Sequence, residues 1–217
     1  MELKGKVINF LGDSITQGHG VMEEKNIYHQ RIAKTYKLKR ANNYGISGTR
    51  FAKQQVPTVD NPSFDQWFAS RVEDLDPAAD AVVVFGGTND WGHGDAPIGT
   101  FSDRTEDSFY GACHVLYSKL IARFPGKPIV VVTPLHRVGE RDKHKREDRE
   151  MMLSDYVDII KEVARYYSLP VCDMFSISGL QPEIPEILEM YIPDGLHPND
   201  AGHKVLADRI GSFLKAL

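Results

Sequence analysis

The stretch "AVVVFGG", residues 81–87, decides the fold. Five apolar residues stand in a row and then give way to two glycines. A strand with one wet face alternates apolar and polar residues. A continuous Val-rich run suits a strand covered on both faces, which is the pattern of a parallel sheet. Further runs of this kind lie on either side: "KVINFL" (6–11), "PIVVVTP" (128–134), "LPVCDMF" (169–175) and a weaker one, "RANNYG" (40–45).

Helical spacing fills the intervals. Patterns cover 27–37, 64–74, 105–123 and 150–167, and a last one begins near Asn199. Phe109, Cys113, Leu116, Leu120 and Ile121 share one stripe of the third. Leu153, Val157, Ile160 and Val163 do so in the fourth, and Leu206, Ile210, Phe213, Leu214 and Leu217 in the fifth. Pro198 sits close to that last helix's first turn, where a missing N–H costs nothing. Strands alternating with helices predict right-handed crossovers and a three-layer α/β/α sandwich around a five-stranded parallel sheet. No internal repeat or linker interrupts the chain, so a single domain over 1–217 is expected. One segment stands apart, "HRVGERDKHKREDRE" (136–150), nearly devoid of apolar residues. It reads as a solvated connection running into a helix, or as a lid, because it leaves a strand's carboxyl end.

Composition narrows the function. The 217 residues are 41% hydrophobic and 26% charged, with a net charge of −4, an ordinary globular balance that gives no support for nucleic-acid binding. The apolar run at the N-terminus is too short for a signal core or a membrane span, so a cytoplasmic protein without membrane attachment is expected. Cys113 and Cys172 fall in apolar patterns with no Cys-x-x-Cys or zinc spacing, and are expected to be buried, reduced thiols.

Chemistry gathers at the predicted strand ends. The first strand runs into Gly12-Asp13-Ser14, the second into "NNYGISGTR", the third into "FGGTND", and "IPDGLHPND" precedes the last helix. Acyl transfer needs a nucleophile, an imidazole base, a carboxylate to orient it, and donors for the developing oxyanion. Ser14, His197 and Asp194 fill the first three roles. A carboxylate three residues before a histidine, with a glycine between, can fold back onto the ring nitrogen facing away from the serine. The backbone N–H groups of Ser14 and Gly48 and the Asn89 amide are candidate donors. Possible pocket residues are Asp13, Trp91, His93 and His136. Trp91 could equally pack its loop, and Asp13 is expected to tie down its own loop.

In these blocks the sequence resembles the SGNH, or GDSL-like, hydrolase family. Gly12-Asp13-Ser14-Ile15-Thr16, Asn43-Tyr44-Gly45-Ile46-Ser47-Gly48, Gly86-Gly87-Thr88-Asn89-Asp90 and Asp194-Gly195-Leu196-His197-Pro198 occur in the family's order. Ile15 replaces the leucine of the family's name, an apolar exchange at a packing position. The resemblance implies a flavodoxin-like five-stranded sheet, Ser14 as nucleophile, Gly48 and Asn89 completing the oxyanion hole, and Asp194 and His197 completing the triad. Ser14 lacks the Gly-x-Ser-x-Gly setting of the lipase-type elbow. The expected activity is a serine esterase without cofactor acting on short, chiefly acetyl, esters of a small polar or sugar carrier. A lysophospholipase or acyl-thioester hydrolase is the alternative. A flavodoxin-like binding module would leave Asp194 and His197 without a role. Asp13, His19, His29, Asp90, His93 and Asp95 show no metal-ligand spacing, so no metal site is expected.

Overall fold

The carboxyl ends of the strands lie level with one another. In the computed structural model, which describes residues 1–58, 61–146 and 149–217, strand β1 (Val7–Gly12) is followed by the single turn α1 (Ser14–Gln17), helix α2 (Tyr28–Tyr36) and β2 (Arg40–Gly45). Next come β3 (Ala81–Phe85), the short α3 (Thr88–Gly92), α4 (Phe109–Arg123) and β4 (Ile129–Val132). The hairpin strands β5 (His144–Arg146) and β6 (Arg149–Met151) lead into α5 (Leu153–Tyr166), and β7 (Val171–Cys172), α6 (Met174–Ile177), α7 (Pro185–Tyr191) and α8 (Asp200–Ala216) complete the chain. The main sheet is wholly parallel, in the order β2-β1-β3-β4-β7. Gly12 stands beside Gly45 on one side and Phe85 on the other, and Phe85 beside Val132. The loops after β1, β2, β3 and β4 therefore leave from a common edge.

The continuous apolar runs have the predicted cause. Every residue of β1, β3 and β4 is buried. Val82, Val84, Ile129 and Val131 pack with α4 and α5, while Val83, Phe85, Val130 and Val132 pack with α2 and α8. Alternate residues thus serve opposite helical layers, and each face needs its own apolar set. The weak run at 40–45 is an edge strand with its side chains partly exposed.

Helix boundaries differ where capping decides them. The pattern at 105–123 begins at Phe109, because the Ser108 hydroxyl accepts from the Gly111 N–H and caps there. Asn199 caps α8 in the same way, accepting from Ala201 and Gly202. The pattern at 64–74 is not an α-helix but two 3-10 segments, Pro62–Asp65 and Phe68–Asp74. The segment 136–150 turns and forms the β5–β6 hairpin, which the sequence pattern does not predict, with residues 147 and 148 outside the described residues. Its charged sequence hides the strands, and contacts at its ends hold it. The Val138 N–H donates to Gly195 O at 2.9 Å, the Leu153 N–H to Glu140 O at 3.1 Å, and the His144 ring meets the Trp91 ring edge-on. Both cysteines are free and buried, and burial pushes the Cys172 thiol up to about 12. Among the described residues, no helix is long and apolar enough to cross a membrane.

Candidate active site

Ser14 opens α1 directly after β1, and Asp13 builds that turn. The Asp13 carboxylate caps it, accepting from the Ile15 N–H at 3.0 Å. The Ser14 N–H lies in the first turn, where backbone donors have no intrahelical acceptor. Asp13 is only 2% exposed, and its burial pushes its pKa up to about 7.

The last loop brings the base. Asp194 Oδ1 accepts from the N–H groups of Leu196 and His197 at 2.9 and 2.6 Å, which winds the loop around the carboxylate. Asp194 Oδ2 then lies 2.7 Å from His197 Nδ1, and His197 Nε2 lies 2.9 Å from Ser14 Oγ. Serine, imidazole and carboxylate form one hydrogen-bonded row, the geometry that places the imidazole lone pair toward the hydroxyl. Loss of water works to raise the pKa of Asp194, but its hydrogen bonds outweigh this and hold it below the usual carboxylate range. His197 is shifted the opposite way from its ionic partner's pull. Partial burial lowers it more than Asp194 raises it, and the nearby His19 and Arg137 add to the lowering. The imidazole is therefore predominantly neutral at neutral pH, as a base must be.

Two loops place the candidate donors. Gly48 follows β2 with φ +75°, a left-handed conformation, and a Cβ there would lie 2.4 Å from the Phe64 ring. A side chain is excluded on both grounds. Asn89 sits in α3 and donates one Nδ2 hydrogen to Thr49 O at 3.0 Å, which keeps its second amide hydrogen for another acceptor. The two loops are locked together, since the buried Asp90 carboxylate accepts from Phe51 and Ala52 N–H at 3.0 and 2.9 Å. Burial raises the Asp90 pKa to about 6.

Sequence patterns missed Arg71. Its guanidinium is 4% exposed and donates to Tyr44 O, Gly12 O and Thr49 Oγ1 at 2.8, 3.1 and 3.0 Å. It pins the carboxyl ends of β1 and β2 and the Gly48 loop to one point. Desolvation lowers its pKa to about 10, which leaves it charged at neutral pH. The only signal in the sequence is an arginine between Ala69 and Val72, indistinguishable from a surface cation.

The proposed pocket residues divide. Trp91 is 3% exposed and lies in the core, against Arg137 and His144. Asp13 is a cap, also inside. His93 keeps an exposed edge, and its Nδ1 meets Arg50 Nη1 at 2.8 Å. Desolvation and the charges of Arg50 and Arg137 lower it to about 4. His136 is held by the buried Glu140, with Nδ1 2.8 Å from Oε1, at a cavity of about 290 Å³ that Phe175 and Gln181 also line. Of the residues first weighed as metal ligands, His29 contacts Thr16 O, and Asp90 and Asp95 hold backbone N–H groups. His19 lies beside His197, with ring centroids 4.2 Å apart.

These side chains gather at the carboxyl edge of a parallel sheet, where open α/β folds bind their ligands. The chain belongs to the GDSL-like lipase/acylhydrolase family, whose profile matches residues 10–205. It is similar to a crystal structure 31% identical over 100% of this chain and 99% of that one, with a TM-score of 0.86. A protein from Lactobacillus plantarum is 30% identical over 98% of both chains, with a TM-score of 0.83. A two-domain esterase active on acetylated mannans is 24% identical, with a TM-score of 0.65, over 97% of this chain and 48% of that one. This last likeness is one of fold. Among curated proteins nothing matches.

Proposed function

We propose that the chain is a serine ester hydrolase acting through a covalent acyl-enzyme. The observation that carries this is the continuous row from Ser14 Oγ through His197 to Asp194, at 2.9 and 2.7 Å. His197 Nε2 takes the hydroxyl proton as Ser14 Oγ attacks the ester carbonyl. Asp194 stabilises the imidazolium that forms and fixes its tautomer. The oxyanion is received by the N–H groups of Ser14 and Gly48 and by the spare Asn89 amide hydrogen. His197 returns the proton to the leaving alcohol, then activates a water that releases the acid. No step calls on a cofactor, and residues 1–217 act as one domain.

The substrate we infer is a short acyl ester, acetyl above all, on a small polar or sugar carrier. Asp194 is half exposed, and the polar His19 and Arg137 lie close to His197, surroundings that suit a polar carrier. An esterase active on acetylated mannans shares the fold of this chain over 48% of its own length, which agrees with this substrate class.

Hydrolysis of p-nitrophenyl acetate, butyrate, octanoate and palmitate by wild type and Ser14→Ala tests both statements. Rates that fall with chain length and vanish in the variant are expected. A maximum at long chains, still lost in the variant, keeps Ser14 as nucleophile and moves the substrate to lipids or acyl thioesters. Equal rates in both proteins on every ester remove the serine mechanism.

A further inference from the structure

His19 has no part in the proposed acyl transfer, yet the fold holds it against the base. Its N–H donates to Ser14 O at 2.9 Å, closing the turn after α1. At the next residue, Gly20, a Cβ would lie 2.6 Å from Pro198 O, so the backbone passes directly over the residue that follows His197. The two imidazoles stand 4.2 Å apart between centroids. One ligand atom from each of His19, Asp194 and His197 lies within 4.8 Å of the other two. His19 and Asp194 are exposed, so an ion reaches them from solvent.

We propose that His19, Asp194 and His197 form a binding site for a zinc-type divalent transition metal, and that filling it switches the enzyme off. Two imidazoles and a carboxylate are ligands that zinc accepts, leaving a fourth position for water. Zinc bonds of about 2.0–2.2 Å put tetrahedral ligand atoms roughly 3.3 Å apart, within side-chain rotation of the present spacing. Magnesium, which wants six oxygens, is a poor match.

Coordination disables the base at either ring nitrogen. If the metal takes His197 Nε2, it occupies the lone pair that would receive the Ser14 proton. If it takes Nδ1, the hydrogen shared with Asp194 moves to Nε2, which then has no lone pair to offer. Asp194 is drawn to the metal in both cases. Neither route consumes another reactant, and a chelator reverses both.

The inhibitory half rests on the serine-hydrolase reading, but the binding half does not, and the experiment separates them. Titrate zinc sulfate into wild type, Ser14→Ala and His19→Ala by calorimetry, with magnesium chloride as control. In parallel, measure p-nitrophenyl acetate hydrolysis by wild type and His19→Ala with buffered zinc, before and after EDTA. Wild type and Ser14→Ala are expected to bind one zinc equally, and His19→Ala to bind about tenfold or more weakly. Wild-type activity is expected to fall over the same zinc range and return with EDTA. Assayed on the alkaline plateau, where His197 is already neutral, His19→Ala is expected to keep its metal-free activity and to need correspondingly more zinc for inhibition. Equal zinc affinity in wild type and His19→Ala overturns the proposal, as does wild type that binds no zinc. A wild type that binds zinc through His19 but hydrolyses no ester leaves the site standing and removes the serine reading instead. Bound zinc that leaves hydrolysis unaffected overturns the switch.

Discussion

Replacing Asp13 by asparagine should stabilise the protein in alkali and not in acid. Asp13 is buried and its pKa stands near 7 in the folded protein against 3.8 for an ordinary aspartate, chiefly because burial disfavours the charge. A folded-state pKa above the unfolded one means that the folded protein holds a proton the unfolded chain has lost. The stability tied to that proton is complete below 3.8 and drains away as pH rises to about 7. At about 1.4 kcal/mol per pH unit, the full loss is on the order of 4 kcal/mol, of which roughly 3 falls between about pH 5 and pH 8.5. Asparagine does not titrate, and its side-chain oxygen can still accept from the Ile15 N–H and cap α1. The stability difference between Asp13→Asn and wild type, from urea melts at those two pH values, should therefore move in the variant's favour by about 3 kcal/mol. Neighbouring Asp90 pushes in the same direction, because removing the Asp13 charge eases its ionisation. A difference that stays flat with pH, or that turns against the variant in alkali, refutes the account of Asp13 as a buried, reluctantly ionised cap.

Two further outcomes concern catalysis. Asn89→Ala removes one oxyanion donor and is expected to lower kcat by roughly 10²–10³ with KM little changed, read from steady-state rates on p-nitrophenyl acetate. His197 must be neutral to accept the Ser14 proton, and burial lowers its pKa, so the acidic limb of kcat/KM should have its midpoint below the ordinary imidazole value. Asp194→Asn takes away the group that raises that pKa, so the limb should shift lower still while the plateau falls by about 10⁴. A limb that moves to higher pH in this variant contradicts the assigned pairing.

What was legible in the sequence follows from where each feature's cause lies. The runs at 6–11, 81–87 and 128–134 announce strands because burial on both faces is written into consecutive residues. The row of Ser14, His197 and Asp194 is legible because each member sits in a short block, Ser14 at the end of β1 and Asp194 and His197 in the loop just before α8. Arg71 was not legible, since its burial depends on three oxygen acceptors from Gly12, Tyr44 and Thr49, which only the folded sheet brings together. The β5–β6 hairpin escaped for the opposite reason. Its charged residues carry no apolar period, and its anchors at Gly195 and Trp91 are remote in sequence. His19 shows no metal-ligand spacing in the sequence because its neighbour His197 lies at the other end of the chain.

The segment after β4 does more than connect. Arg137 Nη1 approaches Thr88 Oγ1 at 3.2 Å, next to the donor Asn89, while its guanidinium lies over Trp91 of the same turn. One residue later, the Val138 N–H holds Gly195 O, inside the loop that carries Asp194 and His197. Two adjacent residues therefore tie the turn that carries the candidate oxyanion donor to the loop that carries the candidate base, although one follows β3 and the other precedes α8. Burial chiefly lowers the His197 pKa, and the Arg137 charge adds to that lowering, toward the proton-accepting form. Donor, base and their electrostatic tuning thus share a single mechanical link. A loop exchange beginning at residue 137 would disturb all three together, whereas one confined to the hairpin beyond Asp142 would leave both hydrogen bonds in place.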